Sequence, residues 1–288
     1  MNILLLALVP AFFALNPVAG RALAEIIGPA SLSVIRWSLS ALIVALLAWR
    51  RGSEERWSAP VPHFLRVAAL GALGMGFCAY AAFAGARTTP ATNIALIYGC
   101  TSALVAAWEI AAGRQKFTAT LAAGVAACLA GVALVVTRGH PETIQQLRFT
   151  PGDLWATGGM LAFVVYTVVL RRTPARYGNL AQFVIMSCAA TLALLPFAVA
   201  ETSPVVPQFA AWMLPWLATV VLGTGIGAFL GYNIALKHNG PVLTSAALTL
   251  TPVYAAGLAM VLVGEQLAWY HAAGLVLVVG GLLLVNRA

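Results

Sequence analysis

Charge is what this chain has least of. Of its 288 residues, 16 are Lys or Arg and 8 are Asp or Glu, which is 8% of the total. A soluble domain carries about 25%. With so few charges a globule of this length has no means of covering its surface against water, so the soluble, disordered and collagen-like classes are excluded. Cysteine is also scarce. Cys78, Cys100, Cys128 and Cys188 all lie inside apolar runs, and no two have a CxxC spacing. They read as small buried hydrophobes, which excludes a secreted disulfide scaffold and a thiolate metal site. The N-terminus has no basic region and no A-x-A-like site before Arg21. It is therefore read as a first membrane helix instead of a cleaved signal peptide. There is no HExxH, no Gly-x-Ser-x-Gly and no pair of carboxylates, so nothing points to a membrane enzyme, a metal or another cofactor.

What is abundant is apolar sequence, at 61% of residues and a mean hydropathy of +0.92. A helix needs about 20 apolar residues to cross a bilayer. Ten runs meet that length, at 3–22, 30–50, 64–84, 91–111, 118–137, 153–171, 179–200, 211–232, 241–262 and 269–286. This predicts an all-α polytopic membrane protein with the lipid bilayer as its main partner. The net charge of +8 sits in short loops and forms no basic face, so it reads as topology and not as nucleic-acid binding. Arg50, Arg51, Arg56, Arg66, Arg114, Lys116, Arg171, Arg172, Arg176, Lys237 and Arg287 fall on one side, against Arg21, Arg87, Arg138 and Arg148 on the other. The excess puts both termini in the cytoplasm.

The chain also repeats itself. A shift of 150 aligns Phe13 with Phe163, Arg21 with Arg171, Gly124 with Gly274 and Gly131 with Gly281. A shift of 151 aligns Gly74 and Gly76 with Gly225 and Gly227, and Pro90 with Pro241. Residues 1–139 and 153–288 then form two five-helix repeats joined by a polar loop at 140–152. Five is odd, so the second repeat is inverted. That is the architecture of secondary transporters, with a small-molecule site at the midplane between the halves.

Several residues mark that site. Arg36 lies roughly 9 Å into its span at 1.5 Å per residue. An intramembrane charge is costly and faces protein or water, so it serves either as a contact for an anionic substrate group or as a structural pair with Glu25. Asn16 stands beside Pro17, whose ring frees a backbone carbonyl, and Tyr166 is its repeat partner. Tyr80, Tyr98, Tyr232 and Tyr254, with Asn93, Asn233, Thr244 and Thr249, are further polar groups for the cavity wall. Each has the plainer reading of an interhelical hydrogen bond. Pro17, Gly74, Gly76, Gly225, Gly227 and Pro252 are expected to act as hinges and packing points. The glycines at 124, 131, 274 and 281 give helices 5 and 10 a small-residue face suited to a homodimer or to packing within the chain. Glu109, near the end of its span, is read as an acid at the water interface pairing with Arg114 or Lys116, with a proton-coupling site as the alternative. Trp49, Trp57, Trp212, Trp216 and Trp269 are read as interface anchors.

These features together resemble the drug/metabolite transporter superfamily, and within it the EamA-type exporters. The residues that carry the resemblance are Ala14-Leu15-Asn16-Pro17-Val18-Ala19-Gly20-Arg21, then Pro29 with Arg36-Trp37. The second half adds Leu250-Thr251-Pro252, Gly264-Glu265-Gln266-Leu267, Gly274 and Gly280-Gly281. The chain departs from the pattern at Thr101, where the first repeat lacks the proline, at Gly113-Arg114 and at Met186. The missing proline predicts a straighter fourth helix than ninth. The resemblance implies alternating access, with helices 5 and 10 at the periphery, in a bacterial inner membrane. It implies an exported metabolite: Arg36, Asn16 and the tyrosines suit amino acids, and nucleosides, sugar phosphates or cationic drugs are the alternatives. A channel, which would need a ring of filter groups, is disfavoured by the inverted repeat.

Overall fold

The computed structural model describes residues 3–24, 26–50, 52, 56–89, 91–140, 142, 150–201, 211–263 and 268–288. Glu25, Pro90 and the 264–267 motif lie outside them. The described residues are helical with no strand. The helices are α1 (Ile3–Ala24), α2 (Pro29–Arg50), α3 (Val61–Ala86), α4 (Ala91–Gly99), α5 (Thr101–Ala111), α6 (Ala119–Val136), α7 (Pro151–Arg172), α8 (Asn179–Ala200), α9 (Met213–Asn239), α10 (Pro241–Ala247), α11 (Thr251–Val263) and α12 (Trp269–Arg287). Among the described residues, eight helical segments are long and apolar enough to cross a membrane. Large apolar side chains such as Trp49, Val199 and Val276 are exposed, which suits a lipid solvent.

Local chemistry sets the helix ends. Thr118 Oγ1 accepts from the Leu121 amide at 3.1 Å and caps α6. Thr150 and Asp153 cap α7: the Thr150 amide donates to Asp153 Oδ2 at 2.6 Å, and Pro151 follows at the first helical position. Both devices occupy backbone groups that the first turn leaves unpaired. Between α9 and α10, Gly240 adopts φ +80°, a conformation other residues resist. Pro241 then starts α10, and the chain reverses in a single residue.

Two irregularities sit where the sequence is glycine-rich. α3 is π-helical over Gly71–Phe77, and α9 over Thr219–Leu230. Such wide turns recur at functional sites. A third irregularity is that the fourth span is interrupted as well as the ninth. α4 stops at Gly99 and α5 restarts at Thr101, just as a 3₁₀ turn over Leu248–Leu250 separates α10 from α11. No proline is needed, because Gly99 weakens the helix. Its backbone also approaches Val132 so closely that an added Cβ would lie 3.1 Å from the side chain.

Helices from the first part of the chain pack on helices from the second. α1 lies against α9, α2 against α8, α3 against α8 over its first part and π-helical stretch and against α7 over Cys78–Ala86, α5 against α10, and α6 against α12. The last contact consumes the glycine seam. A Cβ on Gly131 would sit 2.9 Å from the Gly274 carbonyl, and one on Gly124 2.9 Å from that of Gly281. These small residues thus bring α6 and α12 of one chain together. A single core cluster runs from Val9 and Trp37 through Phe163, Tyr166 and Phe183 to Phe229 and Tyr232.

Candidate functional site

The expected site residues fall into several groups, and the one around Arg36 is the most unusual. Arg36 is 1% exposed. Its Nη1 donates to Asn16 Oδ1 on α1 at 3.3 Å, and its Nη2 donates to the Thr224 carbonyl in the π-helical stretch of α9 at 2.5 Å. One turn further along α2, Ser40 Oγ donates to the Val221 carbonyl in the same stretch at 3.2 Å. Side chains four apart share a helix face, so α2 presents two donors to two carbonyls of α9. Gly225 permits this approach, since a Cβ there would lie 2.5 Å from Ser40 Oγ and 3.6 Å from Arg36 Cγ. The guanidinium lies 4.5 Å from the Trp37 ring centroid and 5.4 Å from that of Phe229, a cation–π arrangement. No carboxylate pairs with Arg36 among the described residues, and its Nε has no hydrogen-bond partner.

Phe229 links this group to a second. Its ring centroid is 6.2 Å from Phe163 and 5.2 Å from Phe13. Phe13 and Phe163, aligned by the internal repeat, meet edge to face at 6.3 Å. Tyr166 and Tyr232 are fully buried beside them. Tyr166 donates to Asn233 Oδ1 at 2.5 Å, and the Tyr232 hydroxyl lies 2.7 Å from Thr167 Oγ1. The Gly74 backbone lies against the Tyr166 ring, with no room for a Cβ. Gly76 approaches Ala190 and Gly227 approaches the Phe12 ring in the same manner. Asn16, Arg36, Tyr166, Tyr232 and Asn233 are therefore brought together, with Gly74, Gly225 and Gly227 enabling the approach.

Of the remaining residues, Tyr98 and Tyr80 pack against the same core cluster, and the others lie elsewhere. Tyr98 faces Cys78, with Oη 3.8 Å from Sγ. Asn93 donates to both Asp153 oxygens at 3.1 and 3.2 Å. Tyr80 stacks beside Trp155 and Phe197, both exposed, and so sits toward the lipid-facing surface. Thr249 donates to the Ala246 carbonyl at 2.6 Å, within the 3₁₀ break. Thr244 is buried. Tyr254 and Pro252 are half-buried on α11, and Pro17 lies within α1.

Three polar contacts correct or extend the sequence reading. Glu109 pairs with Arg172 of α7 at 2.8 Å, not with Arg114 or Lys116. Those two follow it in a turn that closes on the Glu109 carbonyl, while α7 runs alongside α5 and supplies the cation. Asp153 is a second acid within an apolar segment; its capping role and Asn93 account for its burial. Glu201, at the end of α8, accepts from the Ala30 amide at 2.8 Å, the Ser31 amide at 3.0 Å and Ser31 Oγ at 2.8 Å, and so caps α2. A carboxylate at a helix N-terminus also meets the positive end of the dipole. Serine and threonine four residues from a charge were the available signal for Ser40. Nothing local signalled Thr224 or Glu201.

This geometry is a helical membrane protein with a buried cation that has no carboxylate partner among the described residues, and known proteins share the fold. A solved crystal structure superposes with a TM-score of 0.78 over 97% of this chain and 94% of the other, at 19% identity, a likeness of fold. A transporter from Bacillus subtilis (strain 168) described as "Uncharacterized transporter YyaM" is 26% identical over 205 residues, covering 71% of this chain and 67% of that one. The model of the EamA-like transporter family matches residues 1–137 and 150–287. With nearly the whole length matched, the chain belongs to the EamA-like transporter family of the drug/metabolite transporter superfamily, and is a multi-pass membrane transporter.

Proposed function

We propose that this transporter exports small amphipathic metabolites, foremost amino acids, by alternating access between two inverted five-helix halves. The observation that carries the substrate class is Arg36. A buried guanidinium with no carboxylate partner among the described residues is expensive in a membrane interior, and it holds donors ready for planar, bidentate recognition of a carboxylate. Asn16 and the Tyr166–Asn233 pair supply neighbouring groups for an ammonium or a polar side chain. Its positive charge disfavours cationic drugs as the cargo.

The helix pairing supports the inverted repeat. With the interrupted pairs α4–α5 and α10–α11 each read as one rod, this reading counts ten spans, and exchanging the two halves maps every principal contact onto another or onto itself. The contact between the first and eighth becomes that between the sixth and third, while second–seventh, fourth–ninth and fifth–tenth map onto themselves. The two segments matched by the family model support the duplication in the same way. The lysine and arginine excess supports an orientation with both termini in the cytoplasm, and the reading takes the membrane to be a bacterial inner membrane. Since the glycines of α6 and α12 face each other within one chain, a homodimer through these helices uses their outer side, where Leu275, Val276 and Leu283 are exposed. Counterflow into proteoliposomes loaded with a mixed pool of amino acids tests the proposal. Uptake of a labelled amino acid supports it. Absence of exchange with every amino acid, in liposomes that exchange another metabolite class, refutes the substrate assignment.

A further inference from the structure

A second polar site lies away from Arg36, at the boundary end of α3 and the α7–α8 turn. A crevice of about 460 Å³ opens there between Pro60, Pro62, His63 and Arg66 on one side and Pro174 and Arg176 on the other. Its size is that of a small-ligand pocket. The walls are rigid. Three of the six lining residues are prolines, with fixed φ and no amide donor, so the polar groups facing a ligand are side chains. The turn that carries Arg176 is held in place: the Arg176 amide donates to the Pro174 carbonyl at 2.8 Å, Arg56 Nη2 donates to the Ala175 carbonyl at 3.3 Å, and the Gly178 amide donates to the Arg56 carbonyl at 3.0 Å. His63 is buried and stacks on Tyr177 at 5.2 Å between ring centroids, within the field of both Arg66 and Arg176.

Among the described residues no carboxylate lines the crevice, and neither arginine forms an ion pair. Two arginines and an imidazole thus converge there with no counter-charge among the described residues. Exposed Trp57, Val61, Phe64 and Leu65 flank the same helix start and offer an apolar surface for acyl chains, as expected at a membrane boundary. We propose that this crevice binds the phosphate of an anionic phospholipid headgroup, with Arg66 and Arg176 as ligands and His63 as a third donor. Arginine forks match phosphate oxygens bidentately, and basic pockets between membrane helices take such headgroups. Assignment to the cytoplasmic leaflet rests on the orientation proposed above; the binding does not.

The test uses full-length protein in detergent, with bound lipid scored by native mass spectrometry. Phosphatidylglycerol should remain bound where phosphatidylcholine does not. R66Q/R176Q should weaken phosphatidylglycerol binding about 30-fold, from about 1 kcal/mol per basic contact, with little change in the melting temperature of the lipid-free protein. R66K/R176K should retain most of the affinity. On wild type alone, binding should fall with added salt. Competition by millimolar sodium phosphate assigns recognition to the phosphate itself; lipid binding that resists phosphate yet is lost in R66Q/R176Q assigns it to headgroup and chains together. Equal binding of the two lipids, salt-insensitive binding, or undiminished binding by R66Q/R176Q overturns the proposal.

Discussion

Removing the Glu201 carboxylate should uncouple α2 from α8 at one end of their contact. Glu201 makes three hydrogen bonds to the first turn of α2, and it is half-buried at the end of α8. Loss of a helix N-cap costs about 1 kcal/mol, up to about 2, and the loss of a negative charge at the dipole adds about 0.5 kcal/mol. Water reaching the freed amides moderates both effects, so E201A should lose about 1–2 kcal/mol. At about 2–4 °C per kcal/mol for chains of this size, the melting temperature in detergent should drop by roughly 2–8 °C. E201Q keeps the acceptor oxygen and loses only the charge, so it should fall between wild type and E201A. Gly28 offers an independent check. A Cβ there collides with the Glu201 carboxylate, so G28A should displace the cap and cost a similar amount, and G28A/E201A should melt no lower than E201A alone. Non-additivity of that kind identifies a shared interaction. An E201A protein melting within about 1 °C of wild type, or G28A and E201A effects that simply add, would refute the capping argument.

Other perturbations separate packing from charge. G71A should be destabilising by about 1–3 kcal/mol, because the new methyl meets the Met186 backbone of α8 and overpacking has that cost. G280A, with nothing within 4 Å, should be neutral or slightly stabilising; equal effects in a melting assay would contradict the assigned close approach. A double-mutant cycle on Glu109 and Arg172, with E109Q and R172Q, should give a coupling of about 1 kcal/mol at most, since Arg172 is a third exposed and screened. Cysteine scanning should label a probe at position 142 from outside and one at position 287 from the cytoplasm, as the charge count requires; the reverse would invert the orientation.

The helices were legible because hydropathy runs are local. α2 spans Pro29–Arg50 against 30–50 expected, and α8 spans Asn179–Ala200 against 179–200. The end of α9 was missed by two turns: it runs to Asn239, since Asn233, Lys237 and His238 lower hydropathy without breaking a helix. The interruption at Cys100 carries no proline to mark it; Gly99 weakens the helix there, and glycine is common along this chain. Of the site, Arg36 and Asn16 could be chosen because a charge and a proline-linked amide are rare inside apolar runs. Their partner Thr224, 188 residues from Arg36, and Glu201, 171 from Ala30, depend on which helices pack together. Tyr80, half-buried beside exposed Trp155 and Phe197, has a placement that residue type alone does not give.

The central claim is that Arg36 reads the carboxylate of the substrate. The most direct measurement is competition in counterflow, comparing an amino acid with its decarboxylated amine, in wild type and in R36Q. A charge-assisted hydrogen bond contributes about 1.5–3 kcal/mol, so wild type should favour the amino acid by about 10-fold or more. R36Q should lose that preference while retaining a folded α2–α9 contact through Ser40. Preference for the carboxylate persisting unchanged in folded R36Q would contradict the account.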